Sequence, residues 1–128
     1  MPQPEEPSGP IGVFVCDDSA AERFLLGQLA KEQPGIYIAG AASAAIAAVR
    51  AIESAQPDVV ILDHLDHHGD ISVIVNAIRE VAARAKVVVY SVMPEHRVTG
   101  VASADAYVGK SSDPEPLWRT VRALAATG

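Results

Sequence analysis

Short, unbroken apolar runs alternate along this chain with longer stretches in which apolar residues recur every three or four positions. The runs are Ile11 to Cys16, Ile36 to Gly40, Val59 to Leu62, Val87 to Tyr90 and Ala106 to Val108. Runs of this length, rich in β-branched residues, predict strands buried on both faces of a parallel sheet. Helical spacing appears in Phe24, Leu25 and Leu29, in Ile46, Val49 and Ile52, in Ile71, Ile74, Val75, Ile78 and Ala82, and in Leu117, Val121, Leu124 and Ala125. Ser19-Ala20-Ala21-Glu22 has the spacing of a capping box. Ser43 can cap the second helix, and Asp113-Pro114 opens the last, where proline suits the first turn. Pro34-Gly35 and Gln56-Pro57-Asp58 are turns. From Pro94 to Ser103, Val98, Thr99 and Gly100 make a poor helix. Strand and helix thus alternate five times, which predicts a parallel sheet covered on both faces, its fourth helix short or irregular.

Composition narrows the class. A chain of 128 residues, 49% of them hydrophobic, is long enough for one domain with a real core. Met1 to Pro10 holds four prolines and two glutamates and reads as a solvated tail, which leaves residues 11–128 as the folded domain. No apolar run approaches the ~20 residues of a membrane span, and the N-terminus has no signal-peptide layout. The single cysteine, Cys16, excludes an internal disulfide and fits a reducing compartment, so a cytoplasmic location is expected. It reads as a small buried hydrophobe rather than a reactive thiol. The net charge of −6 disfavours direct binding of nucleic acid.

Candidate chemistry lies where the strands end. Asp17 and Asp18 close the first, Asp63 the third, Ser91 the fourth and Lys110 the fifth. In a parallel sheet these carboxyl ends share one edge, where open α/β folds bind ligands. Carboxylates brought together repel, by about 4 kcal/mol per pair at ~4 Å and an effective dielectric of ~20. A cation must offset this, and oxygen-only ligands suit Mg²⁺, or Mn²⁺. Lys110 offers a point charge and Ser91 a hydroxyl to a phosphate oxygen. Asp63 is the candidate nucleophile, since a carboxylate can attack phosphorus and form an acyl phosphate.

The acidic pair Asp17-Asp18, Asp63, Ser91, Tyr107 and Lys110, in this order and each at a predicted strand end, resemble the receiver domain of two-component response regulators. The likeness covers Ile11 to about Ala126, and the stretch from Ala104 to Glu115 is most similar to receivers of the NarL/FixJ type. The resemblance implies a flavodoxin-like (βα)5 three-layer sandwich with strand order 2-1-3-4-5. It further implies Asp63 as phosphoacceptor, with Lys110 and Ser91 completing the catalytic group. Mg²⁺ would be held by Asp18 and Asp63, by Asp17 directly or through water, and by the backbone carbonyl of Leu65. Ser91 and Tyr107 would form the switch, the first moving toward the phosphate and the second turning inward. The implied partners are a sensor histidine kinase or phosphotransfer protein and a downstream protein or output domain. The domain would stand alone or form part of a transcriptional regulator, the helix-turn-helix output of the NarL/FixJ type being absent from this sequence. It would transfer and hydrolyse its own phosphoryl group without turning over a metabolite.

Three places depart from the receiver pattern. Val92 replaces the usual alanine or glycine after the hydroxyl residue, and is expected to narrow access to Asp63 and slow small phosphodonors. The loop His64-Leu65-Asp66-His67-His68-Gly69-Asp70 carries three histidines. They read as a solvated loop, with a transition-metal site or an effect on acyl-phosphate hydrolysis as alternatives. The span from Ser91 to Lys110 is short, which puts the fourth helix and the output face in question. Trp118 reads as a half-buried helix residue, with a homodimer contact as the alternative. Two competing functions are a receiver-like domain signalling by phosphate-independent contact and a flavodoxin-like small-ligand domain. Against FMN, Asp17-Asp18 stands where a Ser/Thr/Gly-rich phosphate loop is needed. Against cobalamin, Asp66 stands where Asp-x-His-x-x-Gly needs histidine.

Overall fold

Strand and helix follow one another as expected up to the fourth strand. The elements are β1 (Ile11–Cys16), α1 (Ala20–Lys31), β2 (Ile36–Ala42), α2 (Ala45–Ala55), β3 (Val59–Asp63), α3 (Ser72–Val81), β4 (Lys86–Ser91), β5 (Ala106–Gly109) and α4 (Glu115–Ala126). The computed structural model describes residues 9–43, 45–63 and 69–127, with no side-chain description for Ala45 and Ile46. The expected place of Ile46 in the stripe of the second helix therefore lies outside the described residues, as does most of the N-terminal tail. The sheet is wholly parallel, in the order β2-β1-β3-β4-β5. This is the flavodoxin-like arrangement.

Alternation along the strands sorts the core into two layers. Phe14, Cys16, Val60, Leu62, Val87 and Val89 pack with Ile52, Ile74, Val75 and Ile78 of α2 and α3. Val13, Val15, Val59, Ile61, Val88 and Tyr90 pack with Leu26, Leu117, Trp118 and Val121 of α1 and α4. Cys16 is buried, and burial, then the charges of Asp17 and Asp18, push its thiol up to about 12. It is the inert buried group expected.

Two packing details differ from the sequence reading. Phe24 and Leu25 are 69% and 55% exposed, and α1 instead buries Leu26 and Ala30, with Leu29 partly covered. Phe24, Leu25 and Leu26 are consecutive, so three stripes compete, and only docking on the sheet selects among them. Trp118 is completely buried under the sheet rather than half-buried, which removes it as a dimer contact.

The fourth crossover carries no α-helix. Two one-turn 3-10 pieces, Glu95–Arg97 and Val101–Ser103, replace it. This is the irregular form expected, and the described residues form four α-helices rather than five. The connection is fastened to α3: the Thr99 carbonyl accepts from Ile71 N, and the Arg79 guanidinium donates to Ser103 O at 2.7 Å and Asp105 Oδ2 at 3.3 Å.

Gly100 sits in this connection with φ +84, and a Cβ there would lie 2.0 Å from Asp70 Oδ1 and 2.8 Å from Ser72 N. Asp70 Oδ1 already accepts from Ser72 N at the start of α3. Gly100→Ala is expected to cost about 1–3 kcal/mol, from the left-handed backbone and the clash together. A urea titration checks it: the midpoint should fall at unchanged slope.

Candidate functional site

The same alternation that sorts the core places the polar groups. Asp17 continues the row of Val13 and Val15, Asp63 the row of Val59 and Ile61, and Lys110 the row that contains Val108. All three therefore lie on the layer covered by α1 and α4. Cys16 pairs with Leu62 across β1 and β3, which brings the two aspartates side by side at the carboxyl edge. Both are buried, at 2% and 5% exposure. Lys110 Nζ lies 2.7 Å from Asp63 Oδ1 and 4.0 Å from Asp17 Oδ2. Ser91 and Tyr107 have the opposite parity and belong to the α2–α3 layer, where Tyr107 packs against the core.

Ser91 is fully buried, and its hydroxyl accepts from Met93 N at 2.9 Å. The Tyr107 hydroxyl donates to the Met93 carbonyl. Lys110 N donates to the Ser91 carbonyl at 2.8 Å. One short backbone segment therefore links the Ser91 hydroxyl, the Tyr107 hydroxyl and the strand that carries Lys110. Asp18 is exposed, one residue past buried Asp17.

Glu22, expected only as part of a helix cap, also enters the site. The Ser19 hydroxyl accepts from Glu22 N at 3.2 Å, as a capping box requires. The reciprocal bond is absent, because Ser19 N donates to Asp17 Oδ1 at 2.9 Å instead. The Glu22 carboxylate is left to reach Lys110 Nζ at 2.5 Å. A sequence signal for this existed: the buried stripe of α1, Leu26 and Ala30, runs back one turn to Glu22. Arg23 fastens the start of α1 to the end of β1 through the Asp17 carbonyl at 2.6 Å.

Carboxyl oxygens of Asp17, Glu22 and Asp63 lie within 4.8 Å of one another. Among the described residues, one ammonium faces three carboxyl groups, so the cluster is short of positive charge. Burial is the main cause that raises Asp17 to about 7, helped by the neighbouring Glu22 and Asp63 and opposed by the Ser19 N–H. Burial pulls the Lys110 ammonium down, but its bonds to Asp63 and Glu22 outweigh this and hold it above the ordinary lysine value. The bond to Lys110 lowers Glu22. Asp17 Oδ2 is buried without a hydrogen-bond partner. An orphaned carboxyl oxygen in an oxygen-only, electron-rich cluster fits a hard divalent cation such as Mg²⁺. The Leu65 carbonyl and the histidines His64, His67 and His68 lie outside the described residues.

A groove of about 530 Å³ opens beside the cluster, lined by Glu22, Leu25, Leu29, Tyr90, Val92 and Lys110 among others. Val92 is 73% exposed. Among the described residues, no helix is long and apolar enough to cross a membrane.

No family model matches the chain. Over 97 residues it is 33% identical to protein-glutamate methylesterase/protein-glutamine glutaminase 5 of Myxococcus xanthus, which is 76% of this chain and 28% of that protein. Over 53 residues it is 42% identical to the protein-glutamate methylesterase/protein-glutamine glutaminase of Treponema pallidum, 41% of this chain and 13% of that one. The chain thus spans far less than two thirds of the curated relatives it matches. Among solved structures it resembles the response regulator domain of Thermotoga maritima CheB, with a TM-score of 0.77 and 22% identity over 91% of this chain and 96% of that one. It also resembles the T. maritima response regulator protein TrrA in complex with Mg²⁺-BeF, with a TM-score of 0.76 and 27% identity over 89% and 98%. TrrA in complex with the histidine kinase ThkA aligns at a TM-score of 0.74, with 27% identity over 89% and 97%.

Proposed function

Proceeding from a chain that is a receiver domain of the response-regulator kind, we infer that Asp63 accepts a phosphoryl group from a phosphohistidine and that the charge gained switches a protein-binding surface. The observation that carries this is the 2.7 Å contact between Lys110 Nζ and Asp63, next to a buried Asp17 oxygen that has no hydrogen-bond partner. In the transfer, an Asp63 carboxylate oxygen attacks phosphorus. The bond from phosphorus to the donor nitrogen breaks, and the imidazole leaves with that electron pair. Water later cleaves the acyl phosphate, releasing inorganic phosphate and restoring the carboxylate.

Asp17 and Asp63 would hold Mg²⁺, with Asp18 and the Leu65 carbonyl as the resemblance implies. A divalent cation bound there supplies positive charge for the phosphoryl oxygens. Lys110 takes one equatorial oxygen. Ser91 would turn its hydroxyl from Met93 N to another, which releases the backbone segment that Tyr107 grips. That release is the local event that biases the switch. The histidine kinase bound to TrrA supports a kinase or phosphotransfer partner for this chain, and a cytoplasmic location would suit that partnership. Incubation with Mg²⁺ and acetyl phosphate, read by intact mass, tests the reading: one acid-stable, base-labile phosphate is expected, and none would overturn it.

A phosphohistidine must reach the carboxyl edge, so apolar groups exposed there are its natural contacts. Phe24, Leu25 and Val92 are the large apolar residues exposed beside the cluster and on the α1 helix above it. Leu25→Asp is expected to slow transfer from a phosphorylated kinase about tenfold or more, while labelling by acetyl phosphate stays within about twofold. Parallel time courses with the two donors decide it.

A further inference from the structure

Receiver chemistry uses Lys110 as the cation for the incoming phosphoryl group, yet here the ammonium is already taken. Its closest partner is Glu22 Oε2 at 2.5 Å, nearer than Asp63 Oδ1 at 2.7 Å. We propose that Glu22 is a resident competitor for Lys110: it holds the ammonium in the resting state, and the phosphoryl group is accommodated only when the Glu22–Lys110 pair opens. This rests on Asp63 being the phosphoacceptor.

Three observations converge on it. The Glu22 carboxylate belongs to the same oxygen cluster as Asp63, within 4.8 Å. A dianionic phosphoryl group on Asp63 therefore meets a like charge at close range unless Glu22 withdraws. Withdrawal is open to it, because the Glu22 side chain is 41% exposed, whereas Asp63 and Asp17 are buried. Finally, the helix cap does not hold the carboxylate: Ser19 N is served by Asp17 Oδ1, and the cap bond to Ser19 Oγ uses only the Glu22 backbone. Glu22 acts on the reaction through Lys110, as a positioning residue that lowers both the rate of phosphorylation and the fraction phosphorylated.

Glu22→Gln separates this from other roles. Glutamine keeps the size, the helix propensity and the backbone cap, but not the charge. Labelling by acetyl phosphate at saturating Mg²⁺ should rise about three- to tenfold, the range of a partly exposed ion pair, at an essentially unchanged thermal midpoint. Glu22→Asp keeps the charge but is one methylene short of Lys110, and should label faster than the wild type; a general field effect would leave it unchanged and overturn the proposal. If Glu22 served the metal instead, Glu22→Gln would raise the Mg²⁺ concentration for half-maximal labelling with no gain at saturation, which also overturns it. Wild type that labels while Glu22→Gln labels no faster sinks the role of Glu22 alone. If neither protein acquires phosphate, the phosphoacceptor reading falls and takes this proposal with it.

Discussion

Asp63→Ala is expected to take up no phosphate from acetyl phosphate or a phosphorylated kinase, while the wild type should acquire one, as read by intact mass. The loss should be complete because, among the described residues, the other carboxyl groups of the cluster are engaged. Asp17 is buried with one oxygen committed to Ser19 N, and Glu22 is paired to Lys110. The same substitution is expected to leave the metal-free protein as stable as the wild type or more so at neutral pH. It removes one of three carboxylates that share a single ammonium, and Lys110 keeps Glu22. A site built for a cation and a phosphate is strained without them, so loss of function without loss of stability is the expected signature. A thermal midpoint that falls by many degrees in Asp63→Ala would mean that the carboxylate is chiefly structural.

Lys110→Met has the opposite balance. Labelling should drop about a hundredfold or more, the usual scale for removing a charge that faces developing negative charge. Folding should weaken by about 2–4 kcal/mol at neutral pH, since Asp17 and Asp63 would be left buried with no cation. Its pH dependence follows from the raised Asp17. A carboxyl held above its unfolded value binds a proton more tightly when folded. Its contribution is full below the ordinary 3.8 and is lost as pH rises through about 7. Without Lys110 the cluster is more negative and this loss steepens, so the deficit of Lys110→Met should be largest near pH 8 and smallest near pH 4. Thermal midpoints across that range, with and without Mg²⁺, check it. A deficit that grows toward acid would contradict the assignment of Lys110 as counter-charge to the cluster.

The strands were legible because β-branched runs such as Val59 to Leu62 and Val87 to Val89 have few other readings, and their order followed from the family resemblance. Asp17, Asp63 and Lys110 could be placed on one edge by topology alone, since all end parallel strands. What the pattern did not carry was anything decided by docking. Phe24, Leu25 and Leu26 form one run, and the choice of Leu26 for the core depends on how α1 lies on β1 and β2. Glu22 was hidden by a sufficient local explanation: a capping box accounts for it completely, and its partner Lys110 is remote in sequence. Strand parity was the unused clue. It puts Asp63 and Lys110 in the α1–α4 layer, while Ser91 and Tyr107 face the other way.

The irregular passage from β4 to β5 has a wider consequence. A full helix docked there would melt or shift as one cooperative unit, since each turn depends on the next. Two isolated 3-10 turns, pinned by Thr99 and Ser103 and gripped at Met93, can be re-laid piece by piece. Local opening of this stretch therefore costs far less than opening the sheet beneath it. A binding partner that remodels it would work against a low energetic threshold.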